Sequence, residues 1–186
     1  MVSIVKSRTK KVMGVLLLLL LIGIGIGGKR YMDKQKTEKE YQQGIELIQN
    51  YVTDYLVKNY QGIKKIEWQG IGVEYRNSPI LGSSLFGNYV DTDVKIYASE
   101  NNFFTITFQL TDETEYDADS KTYVRLDTLT PEWIDSLFET ELNNAINGGN
   151  IGDKMDKLAA ETLQKCTADS PNVKIMYNLK VHELRY

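Results

Sequence analysis

Seventeen consecutive uncharged residues, VMGVLLLLLLIGIGIGG at 12–28, lie between Lys10-Lys11 and Lys29-Arg30. At about 1.5 Å rise per residue, a helix of this length just covers a hydrocarbon core of roughly 30 Å. The flanking Lys and Arg stems snorkel to make up the shortfall. The expected organisation is a basic cytoplasmic cap at 1–11, a transmembrane signal anchor at 12–28, a polar stalk at 29–40, and an extracytoplasmic α+β domain at 41–186. A cleaved secretory signal is the competing reading, because Lys6, Arg8, Lys10 and Lys11 make a basic n-region. Its best small-x-small cleavage site, Gly25-Ile26-Gly27, is weak and runs straight into Gly28-Lys29-Arg30. The single cysteine, Cys166, lies far from the apolar run, which excludes a lipoprotein anchor.

Local charge is nearly balanced across the span, with four Lys/Arg in residues 1–11 and five in 29–39. Long domains cross a membrane largely regardless of charge, so the expected topology is single-pass, N-terminus cytoplasmic and C-terminal domain extracellular, at the cell membrane. Lys10-Lys11-Val12-Met13-Gly14 before an apolar helix resembles a pilin-like precursor cut after Gly14. That family usually carries Glu at the fifth residue after the cut, where this chain has Leu19. Gly23 and Gly27 match G-x-x-x-G helix pairing, a spacing that a Gly-Ile repeat produces unavoidably.

Charge divides between the two parts. Residues 1–40 hold nine Lys/Arg against three Asp/Glu, and residues 41–186 hold thirteen against twenty-two. The basic part suits an anionic membrane surface, while the acidic domain repels phosphates and argues against nucleic acid. One cysteine excludes an internal disulfide framework. With no Asn-x-Ser/Thr sequon either, composition points to an exported protein of a Gram-positive bacterium.

Apolar positions then predict the elements. Tyr41, Ile45, Ile48, Val52, Tyr55 and Leu56 form a helical stripe within 31–59, stopped by Gln61-Gly62. A strand over 64–76 changes parity between Trp68 and Ile71, which predicts a bulge at Gly70-Ile71-Gly72. Residues 80–88, ILGSSLFGN, read as a loop that either tucks Leu85 and Phe86 into the core edge or presents them to a partner. Val90, Thr92, Val94, Ile96 and Ala98, then Phe104, Ile106, Phe108 and Leu110, alternate as a hairpin with one buried and one open face.

Residues 112–119, DETEYDAD, read as an acidic loop, and a strand near Thr122–Leu126 is expected to rejoin the sheet. Thr130-Pro131-Glu132 signals a helix start, with Trp133, Leu137, Phe138, Leu142 and Ile146 as its inner stripe until Gly148-Gly149. A further helix over 153–166 turns Met155, Leu158, Ala159 and Leu163 inward. A last strand over 172–184 alternates Val173, Ile175, Tyr177, Leu179 and Val181 against Lys174, Met176, Asn178, Lys180 and His182. This order implies an α+β two-layer domain, an antiparallel sheet with helices packed on one face.

Catalytic, cofactor and metal assignments are all none. His182, the only histidine, sits on an open strand face. Gly82-Ser83-Ser84-Leu85-Phe86-Gly87 is not a nucleophile elbow. Asp117-x-Asp119 begins like a calcium loop but meets Lys121 and lacks the turn glycine. Cys166 reads as a small buried hydrophobe.

Protein binding fits better: twelve tyrosines, an acidic loop and an open polar face suit electrostatically guided docking of a basic partner. The candidate contacts are Asp91, Asp93, Asp112, Glu113, Glu115, Asp117 and Asp119, with Leu85 and Phe86. A basic cap, one apolar anchor, no lipobox and a small acidic outer domain resemble in layout the membrane-tethered immunity proteins of streptococci, which protect the producing cell from secreted antibacterial toxins carrying an LXG domain. The stretch Ile63–Asn88 is similar to small exported Gram-positive proteins. The resemblance implies a partner-binding immunity role and assigns no interface residue. The alternatives are an accessory subunit of an envelope or secretion machine and, furthest off, an envelope hydrolase using His182 or the acidic loop.

Overall fold

The computed structural model describes residues 2–76, 87–166 and 172–184, with side chains from Lys29 onward except that of Arg30. It divides into two units, Met1–Lys39 and Glu40–Tyr186. Helix α1 (Val2–Asn59) contains every described residue of the first unit. Residues 31–36 are exposed there, and Lys34 pairs with Glu38 one turn on at 3.8 Å, as a solvated helical stalk requires. The side chains of 12–28, the expected membrane span, lie outside the described residues. Among the described residues no helix is long and apolar enough to cross a membrane.

The second unit is an α+β domain. Ile45, Ile48, Val52 and Leu56 of α1 are fully buried, so the helical stripe is the helix's core face. The helix stops at Asn59, three residues before Gly62 takes φ +84°. Strand β1 (Tyr60–Gln61) follows, then β2 (Lys65–Trp68), β3 (Ile71–Glu74), β4 (Tyr89–Ser99) and β5 (Asn102–Gln109). Both β2 and β3 pair antiparallel with the same edge of β4, and β5 pairs with the other edge.

The parity switch is resolved as expected. The register slips by one residue between Trp68↔Val94 and Gly72↔Asp91, which keeps Ile66, Trp68, Ile71 and Val73 all buried. Gly70 makes the bulge with φ +106°, and its carbonyl accepts the Thr92 hydroxyl at 2.8 Å. The β4–β5 hairpin buries the nine residues expected of it, from Val90 to Leu110.

Four expectations need correction. The acidic segment is not a loop: one helical turn α2 (Leu110–Glu113) leads into a hairpin, β6 (Thr114–Asp117) and β7 (Thr122–Arg125). This hairpin is its own two-stranded sheet and does not rejoin the main one. Its turn is closed by Asp117, which accepts from the Asp119 amide at 2.9 Å and the Ser120 hydroxyl at 2.7 Å, followed by Lys121 at φ +54°. This is Asx-turn chemistry, which a count of carboxylates does not detect.

Helix α3 (Pro131–Ile146) starts at its Thr130 cap as expected, but its buried face is Ile134, Phe138 and Ala145, with Trp133 44% exposed. The helix expected over 153–166 is reduced to one turn, α4 (Lys157–Ala160), with Leu158 exposed. Lys154 bridges in extended form to Phe103, so the helix cannot start before Asp156, whose side chain caps it. Strand β8 (Gln164–Lys165) then pairs with β1.

The last strand is two short pieces, β9 (Lys174–Met176) and β10 (Val181–Glu183), and they run parallel to β2 and β3. The sheet is therefore mixed. The expected alternation fails as well, since Ile175 and Tyr177, read on the apolar face, are exposed like Met176, and alternation does not encode the direction of the neighbouring strand. The break is held from α1, where Gln49 and Gln42 donate to the carbonyls of Asn178 and Leu179, each at 2.9 Å. The helices and the inward sheet residues share one core, in which Phe104 meets Phe138 edge-on at 4.9 Å.

Candidate binding site on the open sheet face

Alternation along β4 turns Tyr89, Asp91, Asp93, Lys95 and Tyr97 away from the core, none of them fully buried. Register sets Gln109, Thr107, Thr105 and Phe103 of β5 beside the last four. Glu67 and Lys65 of β2 flank Lys95 and Tyr97 on the other side.

One end of this face is an aromatic and charged lattice. The Glu67 carboxylate accepts from Lys65 Nζ at 2.8 Å and from the Tyr97 hydroxyl at 2.7 Å. Lys65 Nζ also lies 3.6 Å from the Tyr97 ring centroid, and that ring packs 5.0 Å from Phe103. Lys65, then Tyr97, hold the Glu67 carboxyl below the usual carboxylate range.

The opposite end is acidic. Asp91 sits over Gly72, where an added Cβ would stand 2.3 Å from its Oδ1. Burial, and then the charge of Asp93, push the Asp91 carboxyl up. His182 is exposed and pairs in register with Gly72. No hydrogen bond joins it to Asp91 among the described residues, but its charge acts on the Asp91 carboxyl against the rise.

Between these ends a cavity of about 650 Å³ opens at the β5 edge, lined by Asp93, Lys95, Phe103, Thr105 and Thr107, with Glu141 of α3 and Asn150, Ile151 and Asp153. The segment forming its outer wall is fastened to β5. Lys154 exchanges backbone hydrogen bonds with Phe103 at 2.6 and 3.0 Å, and Asp153 accepts from the Thr105 amide and hydroxyl at 3.1 and 2.7 Å. Asn150 donates to Glu141 at 2.7 Å. The wall is thus a hydrogen-bonded structure on a rigid strand, the kind of support a binding loop needs.

The residues expected to contact a partner fall into two separate groups. Asp91 and Asp93 belong to the open face. Asp112, Glu115, Asp117 and Asp119 belong to α2 and the β6–β7 hairpin, with Asp112, Glu115 and Asp119 exposed. Glu113 does not fit a surface role: it is 3% exposed and accepts from Trp133 Nε1 at 3.1 Å. Leu85 and Phe86 lie outside the described residues. The cavity residues Glu141, Asn150, Ile151 and Asp153 were not anticipated; the signal for them was NGGNIGD at 147–153, a Gly/Asn-rich loop carrying a single apolar residue.

Among the described residues no group of three or more His, Cys, Asp or Glu is arranged to hold a metal ion. No protein-family model, curated protein or solved structure matches this chain.

Proposed function

We propose that this chain is a membrane-tethered binding protein whose outer domain docks a basic protein partner on its open sheet face. Residues 12–28 anchor it, and the domain of residues 41–186 stands outside the cell. The observation that carries the reading is the one-sided sheet. Helices cover one face, while the other presents Asp91, Asp93, Lys95 and Tyr97, with Asp93 and Lys95 lining a cavity. The acidic balance of residues 41–186 favours a basic partner through long-range attraction. The layout resemblance extends the proposal to a secreted antibacterial toxin, whose action the docked domain blocks as an immunity protein.

Capture tests this reading. Full-length protein in neutral detergent is incubated with culture medium of the producing cells at low and moderate salt. One secreted protein is expected to be retained stoichiometrically, less so as salt rises. The variant Asp93→Lys/Tyr97→Ala, with unchanged thermal unfolding, is expected to lose it. Retention of membrane components alone would move the reading to an accessory subunit of an envelope machine.

A further inference from the structure

We infer that the open sheet face, when no partner covers it, pairs with the same face of a second copy of this chain; the role of that pairing rests on the docking reading above. Charge along the face changes sign at Val94. On the Tyr97 side, register sets Lys65 and Glu67 of β2 beside Tyr97 and Lys95, and Lys174 of β9 beside Lys65. Three lysines there stand against one carboxylate, Glu67. On the other side of Val94 stand Asp91 and Asp93, with Gly72 beside Asp91 and His182 beside Gly72. Glu74 of β3 is already paired with Arg76 at 3.0 Å. The β5 residues alongside, Thr105 and Thr107, carry no charge.

That pattern is self-complementary under one operation. A two-fold axis lying between two such sheets and across β4 at Val94 runs the second β4 antiparallel over the first, in the manner of sheets packed about 10 Å apart. Asp93 then faces Lys95 of the second copy, and Asp91 faces its Tyr97 and Lys65, each contact made twice. An axis running along β4 would instead set Asp93 on Asp93 and Lys95 on Lys95. Apolar surface borders the same face: Met176, beside Glu67, is 40% exposed, and Ile151 is fully exposed at the cavity that Asp93 and Lys95 line. The net negative charge of residues 41–186 opposes the approach of two copies at long range. Dilute protein is therefore monomeric and presents the face, whereas tethering to one membrane raises the effective concentration and closes it. A docking partner displaces the second copy from the shared surface.

Sedimentation equilibrium of the full-length protein in neutral detergent tests the pairing over a rising protein concentration. Moderate salt is used, because it screens the long-range repulsion more than it screens pairs in contact. The native protein is expected to form a dimer that dissociates on dilution. Asp93→Lys and Lys95→Asp, each with unchanged thermal unfolding, should weaken it at least about tenfold by setting like charges together. An equimolar mixture of the two variants should regain the native affinity, since their heterodimer re-forms both ion pairs with the signs exchanged. Asp93→Asn and Lys95→Gln, which leave an uncharged side chain in place, should each weaken the dimer by a smaller factor. Absence of a dimer, a dimer indifferent to both reversals (as pairing through the anchor helix alone would give), or a mixture no tighter than its components would overturn the inference. Partner capture from culture medium by a protein that stays monomeric would sink the pairing and leave the docking reading standing. A charge-swapped dimer with no captured partner would do the reverse.

Discussion

The indole Nε1 of Trp133 donates to the buried carboxylate of Glu113 at 3.1 Å, tying the first turn of α3 to α2. A residue inside the most acidic stretch of the chain is therefore a packing element. Charge reversal separates it from its neighbours. Glu113→Lys places an ammonium at a 3% exposed position and should unfold the domain, whereas exposed Glu115→Lys should change stability by no more than about 0.5 kcal/mol. Thermal melts of the two variants check this.

Glu113 also predicts a pH dependence. Burial pushes its carboxyl above the ordinary 4.5, with Asp112 adding to the rise against the Trp133 hydrogen bond. Its contribution to stability is present below pH 4.5 and is lost as pH climbs through the raised folded value. Glu113→Gln mimics the protonated form at every pH. The variant should thus gain stability relative to the native protein between about pH 4 and pH 7; urea denaturation at both ends reads the difference. A constant offset would contradict it.

Asp135 works in the opposite sense. Its Oδ1 accepts the hydroxyls of Tyr55 and Tyr60 at 2.8 and 2.7 Å, and Lys165 pairs with Oδ2. Burial alone would raise its carboxyl, but the Lys165, Tyr60 and Tyr55 contacts together hold it below 3.8. That stability is present above pH 3.8 and disappears as pH falls through the depressed folded value. Asp135→Ala removes the shared partner of Tyr55, Tyr60 and Lys165 and should cost about 1–3 kcal/mol at neutral pH. Asp135→Asn should flatten the acid limb of the stability profile.

The bulge gives a further prediction. Gly70 holds φ +106°, and a Cβ there would stand 2.8 Å from the Lys180 carbonyl. Gly70→Ala should cost about 1–3 kcal/mol in backbone strain alone and should loosen β10 from β3. Faster amide exchange at Ile71, which donates to the Lys180 carbonyl at 3.0 Å, would report the loosening.

Trp68 supplies another. Its Nε1 donates to the buried Thr53 hydroxyl at 3.0 Å. Thr53→Val keeps the shape and removes the acceptor, so it should destabilise by about 1–3 kcal/mol, while Thr53→Ser should retain most of the stability. Denaturant midpoints compare the three.

What was legible in the sequence follows from period. The stripe Ile45, Ile48, Val52 and Leu56, the β4–β5 alternation and the Thr130 cap are local signals with one physical meaning each, and the structure places them as read. The parity change at Gly70 was equally readable, because only a bulge returns Ile71 and Val73 to the core. The acidic hairpin was misread since charge density hides turn geometry: Asp117 looks like a solvated acid and acts as a turn clasp. The parallel direction of β9 and β10 is set by a connection running through α3 and the β8 pairing, which no local pattern encodes. The open face with Asp91 and Asp93 was visible as the polar half of an alternation. Its cavity was not, because Asp153 and Asn150 join Asp93 in one lining only when the 147–154 segment folds back on β5.

On the proposed reading, a protein partner occupies the open sheet face. The direct measurement is a covalent footprint of the captured complex, labelling carboxylates, lysines and tyrosines and comparing bound with free protein. Protection is expected at Asp91, Asp93, Lys95 and Tyr97, with Glu132, Glu139 and the exposed residues of 31–36 unchanged. Protection confined to the outer side of α3 or to the stalk, with the β4 residues still labelled, would contradict it.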